Sequence, residues 1–468
     1  IDTVAPTVDN FTMSDTELKI GDTSTVTLTF SEAVTGFSND DITIASLDNG
    51  TLTGVLSTMT SSNNSITWTG TFTPTDDIED NTSVLTLGTS YTDLAGNSGP
   101  TQDTANYEVD TREPTVSTIA ISDEDGIQNN FLNPSDNVSF TVTFSETVIV
   151  DNSSGLSLTI LMGSENRTAQ YSSGSNSTQQ VFGYTIDDLE TSGENDSDGL
   201  STGSNPIVLP SGSTIKDLAG NSAIISHAGM STNSSYKVDT IPPTEEGAGI
   251  TGAVGAQNNF LNAGDTVDVS VTFSEVVLDT SSGSLTLKIA VGSDNETATI
   301  NSGSTTDNLT FRYTIQAGDN DTNGISINAN DISGGTITDL AGNIASDVTL
   351  EAVTDNSSYK VDTAAPSVDN FTMSDTALKI GDNATVTFVF SEQICPETDS
   401  CAVEFTNSDI TAPNGSLSTL ATSDNTTWTG TFVPTDDVQL DDSNVLTLGT
   451  GYTDLAGNTG PAATTANY

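Results

Sequence analysis

The phrase Asp-Thr-x-x-Pro occurs four times in this chain, and other motifs recur between its copies in a fixed order. The copies begin at Asp2, Asp110, Asp239 and Asp362. Their spacing of roughly 100 to 130 residues exceeds the roughly 20 to 50 residues of solenoid repeats, so each repeat is long enough to enclose its own core. The repeat therefore predicts four modules, at residues 1–109, 110–238, 239–361 and 362–468.

The modules fall into two subtypes. Modules one and four share Val-Asp-Asn-Phe-Thr-Met-Ser-Asp-Thr, which begins at Val8 and again at Val368. Modules two and three share Gln-Asn-Asn-Phe-Leu-Asn, which begins at Gln128 and again at Gln257. All four carry Phe-Ser-Glu followed by Asp-Leu-Ala-Gly-Asn, so these two motifs are common to both subtypes.

Alternation of side-chain type within the modules predicts β-strands. The segment Thr25–Phe30 alternates apolar residues with threonine, as expected for a strand with one buried face. Similar segments occur in every module, and no stretch shows a convincing helical period. About seven short strands in about 100 residues indicate an immunoglobulin-like sandwich. We therefore expect an all-β chain, a tandem array of four immunoglobulin-like β-sandwich domains joined end to end by short linkers that contain proline.

The chain is strongly acidic. Sixty-four Asp and Glu residues stand against 9 Lys and Arg in 468 positions, a formal net charge of -55. Such a charge repels polyanions, which argues against binding to nucleic acids and to anionic membranes. Direct insertion into a membrane is not expected either. Cations are the expected partners, because clustered carboxylates weaken a compact state unless they are neutralised. The alternative is a solvated acidic surface that binds nothing specific.

Three separate motifs are expected at one end of each sandwich, because its strands run alternately up and down. The motif residues concerned are the linker aspartate, the glutamate of Phe-Ser-Glu, and the Asp and Asn of Asp-Leu-Ala-Gly-Asn. The predicted metal ligands are Asp2, Glu32, Asp93 and Asn97 in module one; Asp110, Glu146, Asp217 and Asn221 in module two; Asp239, Glu275, Asp339 and Asn343 in module three; and Asp362, Glu392, Asp454 and Asn458 in module four.

Calcium is the ion that this ligand set favours. Several carboxylates at one point repel one another unless a positive charge lies between them. Calcium accepts six to eight oxygen ligands with loose geometry, whereas magnesium requires stricter octahedral order. The alternative is that Asp-Leu-Ala-Gly-Asn is only a turn, in which Gly takes a positive φ and Asn bonds its own backbone, and that the linker aspartate merely caps a turn. A turn alone gives no role to Glu32 and its counterparts.

A weaker group of candidates lies in the loops at the opposite pole. These residues are Asp76 and Asp77, with Asp80, in module one, Asp319, Asp321 and Asn323 in module three, and Asp436 and Asp437 in module four. The module-three loop resembles half of a calcium-binding loop but lacks the bidentate glutamate at its end.

The two cysteines lie close together in module four. Cys395 and Cys401 are the only cysteines of the chain, and module one has none at the corresponding place. Their spacing predicts a small disulfide-closed loop in an oxidising setting, with two free thiols as the alternative.

These repeats resemble the bacterial immunoglobulin-like modules of very large repetitive surface proteins, particularly type I secreted adhesins and biofilm-associated proteins. The resemblance rests on units such as Val109-Asp-Thr-Arg-Glu-Pro-Thr leading to Asp217-Leu-Ala-Gly-Asn and covers nearly the whole chain. It implies extender modules with calcium at or near their junctions, while adhesion resides in separate terminal domains. The proline-containing linkers, which have no Gly or Ser spacer, favour stiff joints between neighbouring modules.

The expected function is that of an extracellular structural spacer in a calcium-dependent cell-surface adhesin. Its expected partners are neighbouring modules of the same chain, and other cells or matrix through domains outside this segment. The chain begins within a repeat linker and stops where other modules continue, so we expect a slice of a longer protein whose export and anchoring signals lie elsewhere.

Other functions rank below the spacer. A surface-layer or matrix lattice protein built from such modules is the main alternative. A carbohydrate-binding module ranks lower, because aromatic residues are scarce and mostly fall on inward strand positions. An enzyme is not expected, because the sole histidine, His227, occurs in one module only and has no recurring nucleophile beside it.

Overall fold

A computed structural model of the chain describes residues 1–46, 50–151, 153–187, 195–397, 401, 403–436 and 443–468. In these residues the secondary structure consists of β-strands, turns and two single-turn 3-10 helices, which confirms the predicted all-β class. No helix in this part of the chain has the length and apolar character needed to cross a membrane.

The chain divides into two compact units, Ile1–Thr240 and Ile241–Tyr468. Each unit contains two separate hydrophobic cores. In the first unit the buried core residues run from Phe11 to Val109 and from Ile119 to Val238. In the second unit they run from Leu261 to Val361 and from Phe371 to Tyr452. One core therefore lies within each of the four residue ranges set by the repeat.

The first module forms two main sheets. Its strands are β1 (Val8–Met13), β2 (Glu17–Leu18), β3 (Ser24–Phe30), β4 (Val34–Thr35), β5 (Ile42–Ser46), β6 (Gly54–Leu56), β7 (Thr60–Ser61), β8 (Thr67–Pro74), β9 (Glu79–Leu87), β10 (Thr92–Asp93), β11 (Gln102–Asp103) and β12 (Tyr107–Asp110), with the 3-10 helix η1 (Asn39–Asp41) before β5. One sheet has the order β1-β3-β8-β6, and the other has the order β11-β9-β12-β2.

Strand β3 shows why these segments form sheets. Val26, Leu28 and Phe30 are fully buried, while the threonines between them are only partly buried or exposed. Leu28 pairs with Phe11 on one side and with Trp68 on the other. A period-two pattern therefore places one face of the strand in the core, as the sequence predicted.

The second module is dominated by a longer sheet. Its strands are β13 (Val116–Asp125), β14 (Phe131–Leu132), β15 (Asn137–Asp151), β16 (Ser157–Met162), β17 (Glu165–Ser173), β18 (Ser177–Thr185), β19 (Ile207–Val208), β20 (Thr214–Lys216) and β21 (Lys237–Val238). The sheet has the order β13-β15-β18-β17-β16-β19, and β14 pairs with β21.

The third module repeats this arrangement. Its strands are β22 (Glu245–Val254), β23 (Phe260–Leu261), β24 (Thr266–Asp279), β25 (Thr286–Val291), β26 (Asp294–Ser302), β27 (Thr306–Thr314), β28 (Asn320–Asp321), β29 (Asn330–Asp331), β30 (Ile337–Thr338), β31 (Thr349–Leu350) and β32 (Lys360–Asp362). The main sheet has the order β22-β24-β27-β26-β25, and a smaller sheet has the order β23-β32-β28.

The fourth module repeats the first. Its strands are β33 (Val368–Met373), β34 (Ala384–Phe390), β35 (Ile410–Thr411), β36 (Gly415–Leu417), β37 (Ala421–Thr422), β38 (Thr427–Pro434), β39 (Thr447–Leu448) and β40 (Ala463–Thr464), with the 3-10 helix η2 (Asn407–Asp409) before β35. The sheet order β33-β34-β38-β36 matches that of β1-β3-β8-β6.

Candidate metal centre

A parallel strand pair fixes the position of the linker aspartates. Leu18 of β2 pairs with Val109 of β12, and both side chains are buried. The equivalent pairs in modules two and three are Leu132 with Val238 and Leu261 with Val361. Each buried valine immediately precedes a linker aspartate, so the core of one module sets the point at which the linker to the next module begins.

The motif Phe-Ser-Glu anchors the other end of the linker. Its serine hydroxyl accepts a hydrogen bond from the backbone amide of the residue that follows the linker proline, at 2.9 to 3.0 Å in all four modules. These serines are Ser31, Ser145, Ser274 and Ser391. The sequence motifs predicted no role for these serines, although they recur beside the glutamate in every repeat. The bond places the neighbouring glutamate beside its own linker.

The motif Asp-Leu-Ala-Gly-Asn folds as a tight loop around its own aspartate. In module one, Asp93 Oδ1 accepts hydrogen bonds from the backbone amides of Ala95 and Asn97, at 2.8 and 2.9 Å. Asp93 Oδ2 accepts a bond of 2.7 Å from Asn97 Nδ2. Gly96 has a φ of 96°, which a residue with a side chain rarely adopts. The glycine turn expected as an alternative to a metal site is thus present, although Asp93 rather than Asn97 bonds the loop backbone. The carboxylate cluster described next occurs together with this turn.

The loop aspartates are the most buried carboxylates of the predicted sites. Their relative exposure is 1 % for Asp93, 2 % for Asp217, 1 % for Asp339 and 0 % for Asp454. In each case Oδ2 accepts a bond of 2.7 to 2.9 Å from the motif asparagine. The loop therefore holds each aspartate in one fixed orientation.

Three carboxylates converge at the start of modules one, two and four. The groups are Asp2, Glu32 and Asp93; Asp110, Glu146 and Asp217; and Asp362, Glu392 and Asp454. In each group, one oxygen from each residue lies within 4.8 Å of the other two. Motifs separated by as much as about a hundred positions in the chain thus supply carboxylate oxygens to one point.

The predicted set of module three involves both compact units. Asp239 belongs to the first unit, where its backbone amide donates to the Leu132 carbonyl at 3.0 Å. Glu275 and Asp339 belong to the second unit, where the buried Asp339 accepts hydrogen bonds from the backbone and side chain of Asn343. Within its own unit, the Asp339 loop therefore has the same construction as the loops at Asp93 and Asp217.

Burial and mutual repulsion raise the pKa of the glutamates. Desolvation, followed by the charges of Asp110 and Asp217, raises the pKa of Glu146 to about 7. Desolvation, followed by the charges of Asp362 and Asp454, raises the pKa of Glu392 to about 7. Glu146 Oε1 is buried and accepts no hydrogen bond from the described part of the chain. A buried carboxylate oxygen in this state is costly unless a positive charge compensates it.

The residues of the second set fit a hard divalent cation. Carboxylate oxygens are the ligands that calcium prefers, and Glu146 Oε1, which has no hydrogen-bond partner among the described residues, can supply one of them. The cationic side chain in the adjoining linker is Arg112, whose guanidinium donates to Asp77 at 3.1 Å and Glu79 at 3.4 Å. These two ion pairs engage Arg112 with side chains outside the three-carboxylate group.

The motif asparagines connect the loop to the linker. Asn221 Nδ2 donates to the Asp110 carbonyl at 2.9 Å, and Asn458 Nδ2 donates to the Asp362 carbonyl at 3.0 Å. Asn97 Nδ2 contacts the Val4 carbonyl at 3.2 Å. Each amide nitrogen therefore joins a linker carbonyl to a loop aspartate. The role of the amide oxygens as cation ligands stays a prediction.

The weaker candidates have other partners in the structure. Asp77 pairs with Arg112, as described above. Asp319 Oδ2 accepts bonds from the Tyr313 hydroxyl at 2.7 Å and the Gln316 amide at 2.8 Å. Among the described residues, the groups of three acidic side chains that could hold a metal do not include Asp76, Asp77, Asp319 or Asp321. Asp437 lies outside the described residues.

Asp321 stabilises its loop through hydrogen bonds to backbone amides. Its Oδ2 accepts from the Gly292 amide at 2.8 Å, and its Oδ1 accepts from the amides of Asn323 and Gly324 at 3.1 and 2.8 Å. The Asn323 side chain donates to Asp355 at 2.5 Å. Because Asp321 is 3 % exposed and engaged with three backbone amides, its burial is explained without an ion.

The two cysteines of module four are joined by a disulfide. Their Cα atoms lie 6.3 Å apart, within the range that a disulfide spans. Cys395 is fully buried beside the core, and Cys401 is partly buried. The bond closes the local loop expected from the sequence.

Comparison with known families identifies two of the modules. Residues 2–109 and 362–468 match the family described as the bacterial Ig-like domain. Modules one and four therefore belong to the bacterial Ig-like domain family, as the resemblance of their motifs predicted. A comparison with curated proteins finds no match.

Solved structures of multidomain surface proteins align with much of the chain at low similarity. FdeC, an adhesin of Escherichia coli, aligns with 77% of this chain and 99% of its own, at 12% identity and a TM-score of 0.27. Domains 1–6 of the surface layer protein SbsC align with 97% of this chain and 65% of their own, at 15% identity and a TM-score of 0.17. The plexin A4 extracellular region aligns at 8% identity and a TM-score of 0.22. TM-scores this low assign no function to the chain.

Proposed function

We propose that this chain is an extracellular spacer in a calcium-dependent cell-surface adhesin. The observation that carries the proposal is the recurrence of one carboxylate group, built from the same three motif positions, at the start of modules one, two and four. Each group joins the linker aspartate to two segments of the module that follows. A cation in that place would restrict the linker.

The three residues of each group would contribute in different ways. In module two, Asp217 is held by the loop, Glu146 by its strand β15, and Asp110 by the end of β12. Calcium, when bound, supplies the positive charge that offsets repulsion among these carboxylates. Because Asp110 belongs to the linker and the other two belong to the module body, shared coordination would stiffen the joint.

The composition supports an extracellular setting. A net charge of -55 suits a protein surrounded by millimolar divalent cations, and the Cys395–Cys401 disulfide suits an oxidising compartment. The role is structural rather than catalytic, and adhesion to cells or matrix would belong to other domains of a longer protein. Neighbouring modules are the direct partners.

A calcium titration tests the metal site. The full chain, stripped with chelator, is titrated with calcium in a calorimeter, and we expect saturable binding with a dissociation constant of roughly 10⁻⁴ to 10⁻³ M, as in other extracellular modules. Glu392→Gln should remove one binding site, whereas Asp76→Asn, which removes an acidic group outside the three-carboxylate groups, should leave the stoichiometry unchanged. Absence of saturable binding in the wild-type chain would refute the proposal.

Thermal melting provides a second measurement. At free calcium about 100 times the dissociation constant, binding stabilises a folded module by about 2.7 kcal/mol. For a module of about 100 residues, this corresponds to a rise in Tm of about 10 °C or more. Equal melting curves in calcium and in chelator would contradict a structural role for the ion.

Assembly state separates the spacer from a lattice. A spacer should remain monomeric in light scattering when calcium is added. Formation of sheets or large ordered particles under the same conditions would instead support a surface-layer protein.

A further inference from the structure

The Asp-Leu-Ala-Gly-Asn loop of module two contacts module one directly. Asn221 Oδ1 accepts a hydrogen bond of 3.0 Å from the Ile20 backbone amide, which lies in the turn between β2 and β3 of module one. The aliphatic part of Lys19 lies close to Gly220 of the same loop. Asn221 is 3 % exposed, so its side of this contact is shielded from water. The same amide group holds Asp217 and the linker carbonyl of Asp110, and thus connects three segments.

The corresponding loop of module four contacts module three, but with different donors. Asn258 Nδ2 donates to the Leu455 carbonyl at 3.1 Å, and Asn262 Nδ2 donates to the Ala456 carbonyl at 3.0 Å. Asn258 Nδ2 also lies 3.1 Å from Cys401 Sγ. The recurring loop thus meets the preceding module in both compact units, although the atoms that make the bonds differ.

The two contacts come from equivalent places in the preceding module. Lys19 directly follows β2, and Asn262 directly follows β23; both strands pair in parallel with the last strand of their module. The backbone amides of Lys19 and Asn262 each bond an aspartate three residues later, Asp22 and Asp265. The segment after this strand therefore has one position and one local geometry in both subtypes.

The shared motif Gln-Asn-Asn-Phe-Leu-Asn builds the contact in module three. Gln257 and Phe260 exchange backbone hydrogen bonds of 2.7 and 2.8 Å across a two-residue turn. Its central residues Asn258 and Asn259 have φ values of 51° and 66°, a conformation that asparagine tolerates better than other residues with side chains. Asn258 lies at the tip of this turn, and Asn262 lies two residues after Phe260, where the turn ends. The motif shared by modules two and three thus has a role in module three that its sequence alone did not predict.

We propose that the Asp-Leu-Ala-Gly-Asn loop is a docking surface for the preceding module, and that this contact fixes the angle between neighbouring modules without an ion. The partner includes the segment that follows the strand paired with the last strand of that preceding module and, in module three, also the turn before that strand, which carries Asn258. A predecessor of the module-one subtype supplies a backbone amide to the loop asparagine. A predecessor of the module-three subtype supplies asparagine side chains to the loop carbonyls. The contact goes beyond the calcium site, because none of these bonds involves a carboxylate of the preceding module.

Distance measurements in chelator test the contact between modules one and two. Spin labels are attached to the full chain at Thr71→Cys and Gln179→Cys, exposed strand positions in modules one and two, with the native disulfide intact. We expect a narrow distance distribution in the otherwise wild-type chain and at least a twofold broader one in Asn221→Ala. Asn97→Ala is the matched control, because Asn97 makes the same bonds to its loop aspartate and linker, and it should leave the distribution narrow.

The outcomes separate this proposal from the calcium proposal. Broadening by Asn221→Ala in chelator, with unchanged circular dichroism, supports docking even if the chain binds no calcium. An unchanged distribution in Asn221→Ala overturns docking even if calcium binds. Equal broadening by Asn97→Ala also overturns it, because the effect would then not depend on the contact with Ile20.

Hydrogen exchange in the second unit provides an independent measurement. Asn262→Ala removes the bond to Ala456 but keeps the backbone bond to Asp265. Mass spectrometry should show at least a threefold faster exchange in the loop peptide that contains residues 453–459, with unchanged exchange in strand β38. Unchanged exchange in the loop would overturn the proposal for this predecessor subtype.

Discussion

The carboxylate group at the start of module one and the group between modules one and two occupy the same motif positions but different environments. Asp2 is exposed, whereas Asp110 is half-buried. The pKa of Glu32 is raised by desolvation and by Asp2 and Asp93, while that of Glu146 reaches about 7. Asn97 bonds its own loop and linker, whereas Asn221 also accepts from Ile20 of module one.

The motifs therefore assemble the three-carboxylate group, and the preceding module sets the environment of that group. Glu79 of module one contributes to the raised pKa of Glu146, so the influence of the neighbour is direct. Glu392, which follows module three in the second unit, also has its pKa raised to about 7 by desolvation first and then by Asp362 and Asp454. The groups of modules two and four, whose linker aspartate ends the last strand of the preceding module, therefore both raise the pKa of their glutamate to about 7.

The largest expected effect comes from removing the loop aspartates. Asp217→Ala leaves the buried amide groups of Asn221 without their acceptor, which we expect to cost about 2 to 4 kcal/mol of stability in module two. Asp93→Ala should cost module one a similar amount, because its loop has the same bonds. Only Asp217→Ala should also loosen the joint near Asp110, measured by protease cleavage in the linker.

Two results would contradict this expectation. Equal linker cleavage in the two variants would show that the preceding module does not depend on the loop. Uniform loss of hydrogen-exchange protection throughout module two after Asp217→Ala would show that the residue supports the core rather than the joint.

A smaller effect is expected from neutralising the glutamates. In chelator, Glu146→Gln removes a partly buried charge and should stabilise module two at pH 8 by about 1 to 2 kcal/mol, allowing for solvent screening. Glu32→Gln should also stabilise module one, but by less, because the carboxylate group of module one is more open to solvent. In calcium both variants lose a ligand and should melt below the wild type.

The pH dependence of stability in chelator tests whether the buried charge of Glu146 is the cause of this effect. Because the folded-state pKa of Glu146 is raised from 4.5 to about 7, its favourable contribution is present below pH 4.5 and is lost as the pH rises through 7. The stability gap between wild type and Glu146→Gln should therefore be small at pH 4.5 and fully developed at pH 8. A gap of equal size at both pH values would contradict burial of the charge.

The smallest effect is expected from Arg112, which has no counterpart in the linker of module one. Its ion pairs with Asp77 and Glu79 are exposed, so Arg112→Ala should change stability by less than about 1 kcal/mol. The positive charge of Arg112 is close enough to lower the pKa of Glu146, and it would also repel a cation bound there. At pH 8, where Glu146 is largely ionised, removing this repulsion should raise calcium affinity a few-fold in calorimetry. Lys379→Ala, which removes an exposed charge paired with Asp382, is the control and should leave affinity unchanged.

The repeat also marks residues whose roles become clear only in the structure. The serines of Phe-Ser-Glu recur in all four modules, and their bonds to the residue after the linker proline recur with them. The asparagines of Gln-Asn-Asn-Phe-Leu-Asn recur in modules two and three, and the structure assigns Asn258 and Asn262 to a contact with the next module. Recurrence marked both sets of residues, but the partners of Asn258 and Asn262 lie nearly 200 positions away in the sequence.

The all-β class, the four repeats and the carboxylates that converge at the start of modules one, two and four could be predicted from the sequence alone. These predictions succeeded because strand periodicity is a local property of the sequence, and because alternating strand direction brings fixed motif positions to one end of a sandwich. The burial of Glu146 Oε1 without a hydrogen-bond partner among the described residues, the more open surroundings of Glu32 and the bond between Asn221 and Ile20 follow only from the tertiary structure. Desolvation and docking depend on which surface lies against the site, and no local pattern of residues encodes that surface.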